Sequence, residues 1–262
     1  MGNFDFSIIH IKHDGVNKDY LFYGSYYRGM LGRNLKKRFC IQKDATCEAC
    51  VVSDKCLYML SFEKYKDSLF LPYVINRCSD SELRITLIGV FSKFSEAYIK
   101  AFERELKIKR SGFYNPFEDT IQNKQLILNS HMFKEIKARN TFEVEINFGR
   151  FKRDSKVLDC DKITFDDIIK AVERRIYLIN KFYGKEDESI YINEPFEAKM
   201  LSCQYYNIKR YSNRKQKSMS IPSLKIKFFV KSTEALYKYF YLASFFNIGT
   251  NASMGFGQLY VY

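Results

Sequence analysis

Tryptophan is absent from this chain, and histidine is nearly so, with three residues at positions 10, 13 and 131. That scarcity narrows any proton-transfer chemistry near neutral pH, because imidazole is the side chain whose ordinary pKa, about 6.5, falls there. No apolar run approaches the roughly 18–20 residues that a helical membrane span needs, so no membrane association is expected. The first residues carry neither the basic segment nor the apolar segment of a secretory leader, and a cytoplasmic protein is the expectation. Acidic residues are missing from two long stretches. From Ala198 to Tyr262 the one acid is Glu234, against ten Lys and Arg, so this stretch carries +9 of the net +13. Tyr20 to Lys43 has no acid at all, and it contains Arg28, Arg33, Lys36, Lys37, Arg38 and Lys43.

Acid depletion over such lengths is not what scattered solubilising lysines produce. It points to a positive surface and a polyanionic partner. The 24 Phe and 20 Tyr could stack on unpaired bases, although aromatic residues more often fill cores. At 262 residues, 46% hydrophobic and 28% charged, the chain has ordinary globular composition and room for one large domain or two small ones.

Periodicity favours two. Residues 4–11 alternate as a strand, and Ser25 is a plausible cap for a helix to Phe39, with Tyr27, Leu31, Leu35 and Phe39 on one stripe. Gly29 and Gly32 interrupt that helix at about 1 kcal/mol each against Ala, so close backbone approach is expected there. Strand-like stretches follow at 69–75 and 83–91, then a helix over 95–106 and a strand over 107–113. This is the ferredoxin-like order. It recurs as a strand at 141–151, a helix to Phe182 opened by Thr164-x-x-Asp167, strands at 201–211 and 224–230, a helix over 232–246 and a last strand at 258–262. The expected class is α+β, with tandem ferredoxin-like (RRM-like) domains at 1–125 and 126–262. A cysteine-rich insertion at 40–56 and a Gly-rich loop at 247–257 complete the plan.

Four cysteines, Cys40, Cys47, Cys50 and Cys56, follow the spacing C-x6-C-x2-C-x5-C. One tetrahedral structural zinc fits them; disulfides and plain reduced thiols are the alternatives. Cys78, Cys160 and Cys203 read as isolated and buried. The loop Phe246-Asn247-Ile248-Gly249-Thr250-Asn251-Ala252-Ser253-Met254-Gly255-Phe256-Gly257 follows a helix and precedes a strand, so it is no dinucleotide fingerprint. Its glycines either bring backbone N–H groups to phosphate or make a helix cap and a tight turn.

These segments carry a resemblance. The loop resembles the glycine-rich loop that ends proteins of the RAMP superfamily, with Gly249, Gly255 and Gly257 matching and Asn247 standing where another glycine is usual. Tyr23-Gly24-Ser25-Tyr26-Tyr27-Arg28-Gly29-Met30-Leu31-Gly32-Arg33, followed by the cysteine cluster, resembles the first helix of one branch of the CRISPR precursor-RNA processing endoribonucleases. Ile85-Thr86-Leu87-Ile88-Gly89, the segment 163–169 and Arg210-Tyr211-Ser212-Asn213-Arg214-Lys215-Gln216 also look like family segments.

The resemblance implies RAMP architecture, CRISPR repeat RNA as partner (with other CRISPR-associated proteins as further possible partners) and cleavage without a catalytic cofactor. The 2′-hydroxyl would attack the adjacent phosphate, leaving a 2′,3′-cyclic phosphate and a 5′-hydroxyl. The alternative is a non-catalytic RAMP subunit that binds guide RNA, and a zinc-stabilised RNA-binding module outside CRISPR is a third class. Such cleavage needs a base, an acid and a cation. His13 and then His10 are the candidate bases, at the end of the first strand. Arg28 falls on the apolar stripe and there needs a partner, RNA phosphate or a carboxylate. Tyr26 can donate a hydroxyl or stack. Arg33, Lys36, Lys37, Lys209, Arg210, Arg214 and Lys215, with Gly249, Gly255 and Gly257, are the candidate RNA contacts.

Overall fold

The computed structural model describes residues 1–16, 22–42, 46–63, 70–185, 190–212 and 217–262. They form two compact units, one of Asp5–Ile127 and one of Leu128–Tyr262 with Met1–Phe4.

In the first unit, β1 (Asp5–His13), α1 (Gly24–Phe39), β2 (Tyr73–Ser79), β3 (Glu82–Ile88), α2 (Ser95–Glu103) and β4 (Ile108–Asn115) run in ferredoxin-like order, and a short β5 (Thr120–Gln122) follows. The sheet order is β2-β3-β1-β4-β5, antiparallel throughout. Alternation along β1 sends Ser7, Ile9, Ile11 and His13 toward the helices: Ser7 Oγ lies 3.1 Å from Ser95 Oγ, and His13 meets Tyr27 of α1. Phe6, Ile8, His10 and Lys12 take the other face.

α1 begins one residue before the expected Ser25. Tyr23 holds the cap position with no side-chain cap bond, and Ser25 sits in the first turn. Its last turn carries Lys36, Lys37 and Arg38, cations set against the negative end of the helix dipole. Of its two internal glycines, Gly32 has the expected close neighbour, since a Cβ there would lie 3.0 Å from the Phe62 ring. Gly29 does not; its nearest neighbour is the flexible Arg33 side chain at 3.5 Å.

The second unit repeats the plan with β6 (Thr141–Gly149), α3 (Phe165–Tyr183), β7 (Phe196–Ser212), β8 (Lys217–Ser232), α4 (Glu234–Ala243) and β9 (Gln258–Val261), in sheet order β7-β8-β6-β9. The α3 stripe behaves as its spacing dictates: Phe165, Ile168, Ile169, Val172, Ile176 and Ile179 are all buried. At its start the Thr164 N–H donates to Asp167 Oδ2 at 2.9 Å, satisfying one of the free donors of the first turn. Phe165 anchors an aromatic core, with ring centroids 5.2 Å from Phe196, 5.2 Å from Phe228 and 5.4 Å from Phe240.

The middle hairpin is the main elaboration. β8 pairs with β6 from Leu224 to Lys231. Toward the turn, among the described residues, β7 and β8 pair only with each other. Pro222 sits on this ribbon opposite Asn207, where a strand has one neighbour and its missing N–H costs no ladder bond on the free side. Cys160 and Cys203 are not isolated but joined as a disulfide, tying β7 to the segment before α3, and Cys78 is exposed rather than buried. Among the described residues, no helix is long and apolar enough to cross a membrane.

Candidate nucleic-acid interface

The four candidate catalytic residues do not come together. His13 is 1% exposed. Its Nδ1 accepts the Gly15 N–H at 3.0 Å, and its Nε2 lies 3.3 Å from the Tyr27 hydroxyl. An accepting Nδ1 is unprotonated, which places the proton on Nε2. Both nitrogens are therefore engaged inside the fold, and His13 holds the end of β1 against α1. Tyr26 is half-buried and packs edge-on against Tyr27, 5.6 Å between centroids.

Among the described residues, Arg28 meets aromatic rings rather than a carboxylate. Its guanidinium lies 5.2 Å from the centroid of Phe62, beside Tyr73. Burial pushes the Tyr73 hydroxyl up to about 12, with the Arg28 charge pulling the other way. Arg28 thus belongs to an aromatic cluster under α1.

His10 is different. It points away from the helices, and β-pairing sets it opposite Arg84 of β3 and Gly112 of β4, with Lys12 opposite Arg110. Glu82 bridges the group, 3.9 Å from His10 Nε2 and 3.7 Å from Lys12 Nζ. The Arg84 guanidinium lies over the Tyr114 ring at 4.6 Å, and its Nε is buried with no hydrogen-bond partner among the described residues. Burial draws His10 below its ordinary value; Glu82 opposes this, while Arg84, Lys12 and Arg110 add to it. Burial and these cations therefore favour the neutral imidazole, which leaves His10 a base among three cations. The sequence reading does not single out Arg84, Arg110 and Tyr114. Only the pairing of β1 with β3 and β4 brings them to His10.

A second cationic group sits at the end of α1. Arg33, Lys36, Lys37, Arg104 and Cys40 line one surface depression. Arg33 is held by Glu105, 2.9 Å from Nη2, and the same carboxylate takes a bond from Asn34 at 2.9 Å. The Lys36 ammonium rides over the Tyr58 ring at 5.5 Å.

In the second unit the ribbon of β7 and β8 carries Lys209, exposed, and Arg210, half-buried; Arg214 and Lys215 lie outside the described residues. Arg210 Nη1 reaches Met254 Sδ of the Gly-rich loop at 3.2 Å. From the end of β6, Arg150 reaches Thr250 Oγ1 at 3.4 Å. A loop without a basic residue of its own is thus flanked by two guanidinium groups.

The loop glycines shape the turn. Asn247 and Gly249 adopt positive φ, as do Gly255 and Gly257, and Asn is among the few residues that tolerate it, which explains why Asn247 can replace a glycine. Gly255 and Gly257 are buried, and their N–H groups donate to Ala252 O at 3.0 Å and Phe148 O at 3.1 Å. They do not present amides to phosphate; Gly249, half-buried, lies nearer the surface. A Cβ on Gly257 would fall 1.8 Å from the Ile248 carbonyl oxygen. Arg175 of α3, buried and driven well below its usual pKa by burial, donates to the Phe246 carbonyl at 2.8 Å and fixes where the loop begins.

A family model named AF_1859_N, an N-terminal domain, matches residues 18–118. No curated protein matches the chain in sequence. Solved structures match it over its whole length. The Cas6 (TTHB231) product complex is 11% identical, covers 98% of this chain and 99% of its own, and superposes with a TM-score of 0.59. Thermus thermophilus Cas6 (TTHB231) gives 13% identity, 100% and 98% coverage and a TM-score of 0.58. This chain has the Cas6 fold. The Cas6 (TTHA0078) product complex matches at 9% identity and a TM-score of 0.54, with 98% and 99% coverage. The tandem ferredoxin-like reading is therefore the observed architecture, shared end to end with Cas6 structures despite the low identity.

Proposed function

We propose that this protein is a Cas6-type endoribonuclease that binds CRISPR repeat RNA and cuts the precursor without a catalytic metal. The observation that carries the reading is the grouping of His10, Lys12, Arg84 and Arg110 on one sheet face, within a chain that follows the Cas6 fold from end to end. His10, its neutral form favoured by burial, takes the proton of the 2′-hydroxyl. The resulting oxyanion attacks the adjacent phosphorus and expels the 5′-oxygen, which leaves a 2′,3′-cyclic phosphate. Arg84 and Arg110 meet the charge that builds on the phosphoryl oxygens. Lys12, next on the same face of β1, gives the proton that turns the expelled 5′-oxygen into a 5′-hydroxyl. The cations at the end of α1, and Lys209, Arg210 and Arg150 in the second unit, bind the RNA backbone.

One observation favours a non-catalytic guide-RNA subunit: His13, Arg28 and Tyr26 are all engaged inside the fold. Incubation with repeat RNA in EDTA separates the two readings. The endoribonuclease cuts at one position, and a 2′-deoxy substitution 5′ to that phosphate abolishes the cut. Tight binding with no cleavage would favour the guide-RNA subunit, and absence of binding would overturn both.

A further inference from the structure

The cysteine cluster plays no part in the proposed cleavage chemistry, yet the fold gathers it. Cys40 caps α1, with its N–H on the Lys36 carbonyl at 2.9 Å. Cys47 opens a short 3-10 turn, Cys50 closes it, and Cys56 precedes the turn at Met59–Glu63. The four residues line one small cavity, with Val52, Tyr58 and Met59 among its other lining residues. All four are free, whereas Cys160 and Cys203 are bonded.

We propose that Cys40, Cys47, Cys50 and Cys56 bind one structural zinc ion that fixes the end of α1. Three observations combine. The C-x2-C pair is a good chelate by spacing, and all four cysteines of the run line one small cavity. Soft thiolates select zinc over hard cations. A tetrathiolate zinc carries two negative charges, and Cys40 also borders the depression ringed by Arg33, Lys36, Lys37 and Arg104, so cations stand ready to balance it.

Binding forms four Zn–S bonds and releases four protons from the thiols, with no change of oxidation state. Zn–S bonds of about 2.3 Å require the sulfurs to close to about 3.7 Å from one another. Among the described residues no three metal-ligating side chains stand that close, so binding turns side chains into the cavity. The consequence is positional. With Cys40 held, the last turn of α1 cannot fray, and Arg33, Lys36 and Lys37 keep one arrangement.

The test is metal content, which does not depend on RNA cleavage. The full-length protein, expressed with zinc supplied and purified without chelator, is expected to hold about one zinc per chain. The double substitution Cys47→Ser, Cys50→Ser is expected to lower this at least about tenfold, while Cys78→Ser leaves it unchanged. Because the double variant could fail to fold, stepwise mercurial titration of the unaltered protein provides a second reading, with zinc release expected to track the blocking of about four thiols. Cobalt in place of zinc is expected to give the thiolate charge-transfer and tetrahedral bands of a sulfur site. A zinc-free protein in which the four cluster thiols react as freely as Cys78, zinc retained in the double variant, or cobalt spectra without thiolate bands would each overturn the proposal.

Discussion

The two units share one strand order and place their charged residues differently. In the second, three of the four lysines of β8 are matched by glutamates on neighbouring strands: Lys225 with Glu145 at 3.1 Å, Lys227 with Glu143 at 2.7 Å, Lys231 with Glu197 at 3.8 Å. Three of the ten cations of the acid-poor C-terminal stretch are thus paired with acids from outside it, and Lys209 and Arg210 lie farther out, on the ribbon. In the first unit, three cations gather around one histidine with the Glu82 carboxylate between them. Net charge along a sequence therefore overstates one surface and understates the other. A crowd of like charges held together by strand pairing is costly unless an anion completes it.

Substitutions can sharpen this contrast. The largest effect is expected at His10: His10→Ala should slow single-turnover cleavage about 100-fold or more, with RNA affinity changed only a few-fold by gel shift. Next is Gly257→Ala, where the new Cβ meets the Ile248 carbonyl oxygen at positive φ. A loss of about 2 kcal/mol or more in urea unfolding is expected, with cleavage per folded molecule retained. The pair Lys209→Gln, Arg210→Gln should weaken RNA binding. It should also reduce the slope of log affinity against log salt by about one for each phosphate no longer neutralised. The smallest effect is expected at Lys227→Gln: its ion pair is half-exposed, so stability should move by less than about 1 kcal/mol and RNA binding should be nearly unchanged. A large fall in RNA binding there would break the contrast.

Much of the fold is legible in the sequence because period and capping are local. The α3 stripe and the Thr164–Asp167 pair need no knowledge of the rest of the chain. The site is less so. His10 and His13 lie on opposite faces of β1 by simple alternation, but both faces are apolar through Ile8, Ile9 and Ile11, so period alone does not say which one the helices cover. Arg84 and Arg110 are separated from His10 by 74 and 100 positions, and only strand register unites them. The stripe places Arg28 on the buried side correctly, yet its partners come from Phe62 and Tyr73, beyond the reach of any helical period. The Cys160–Cys203 link spans 43 residues and has no local signature either.

The most direct test of the central claim is the pH dependence of kcat/KM for repeat-RNA cleavage, which reports groups of the free enzyme. His10 must be unprotonated to act, and its pKa is held below the ordinary 6.5 by burial and by its neighbouring cations. The expected profile rises with pH, reaches half its plateau below pH 6.5 and stays level through neutrality, and the rising limb vanishes in His10→Ala. A midpoint above pH 7, or a limb that survives that substitution, would contradict the assignment of His10 as the base.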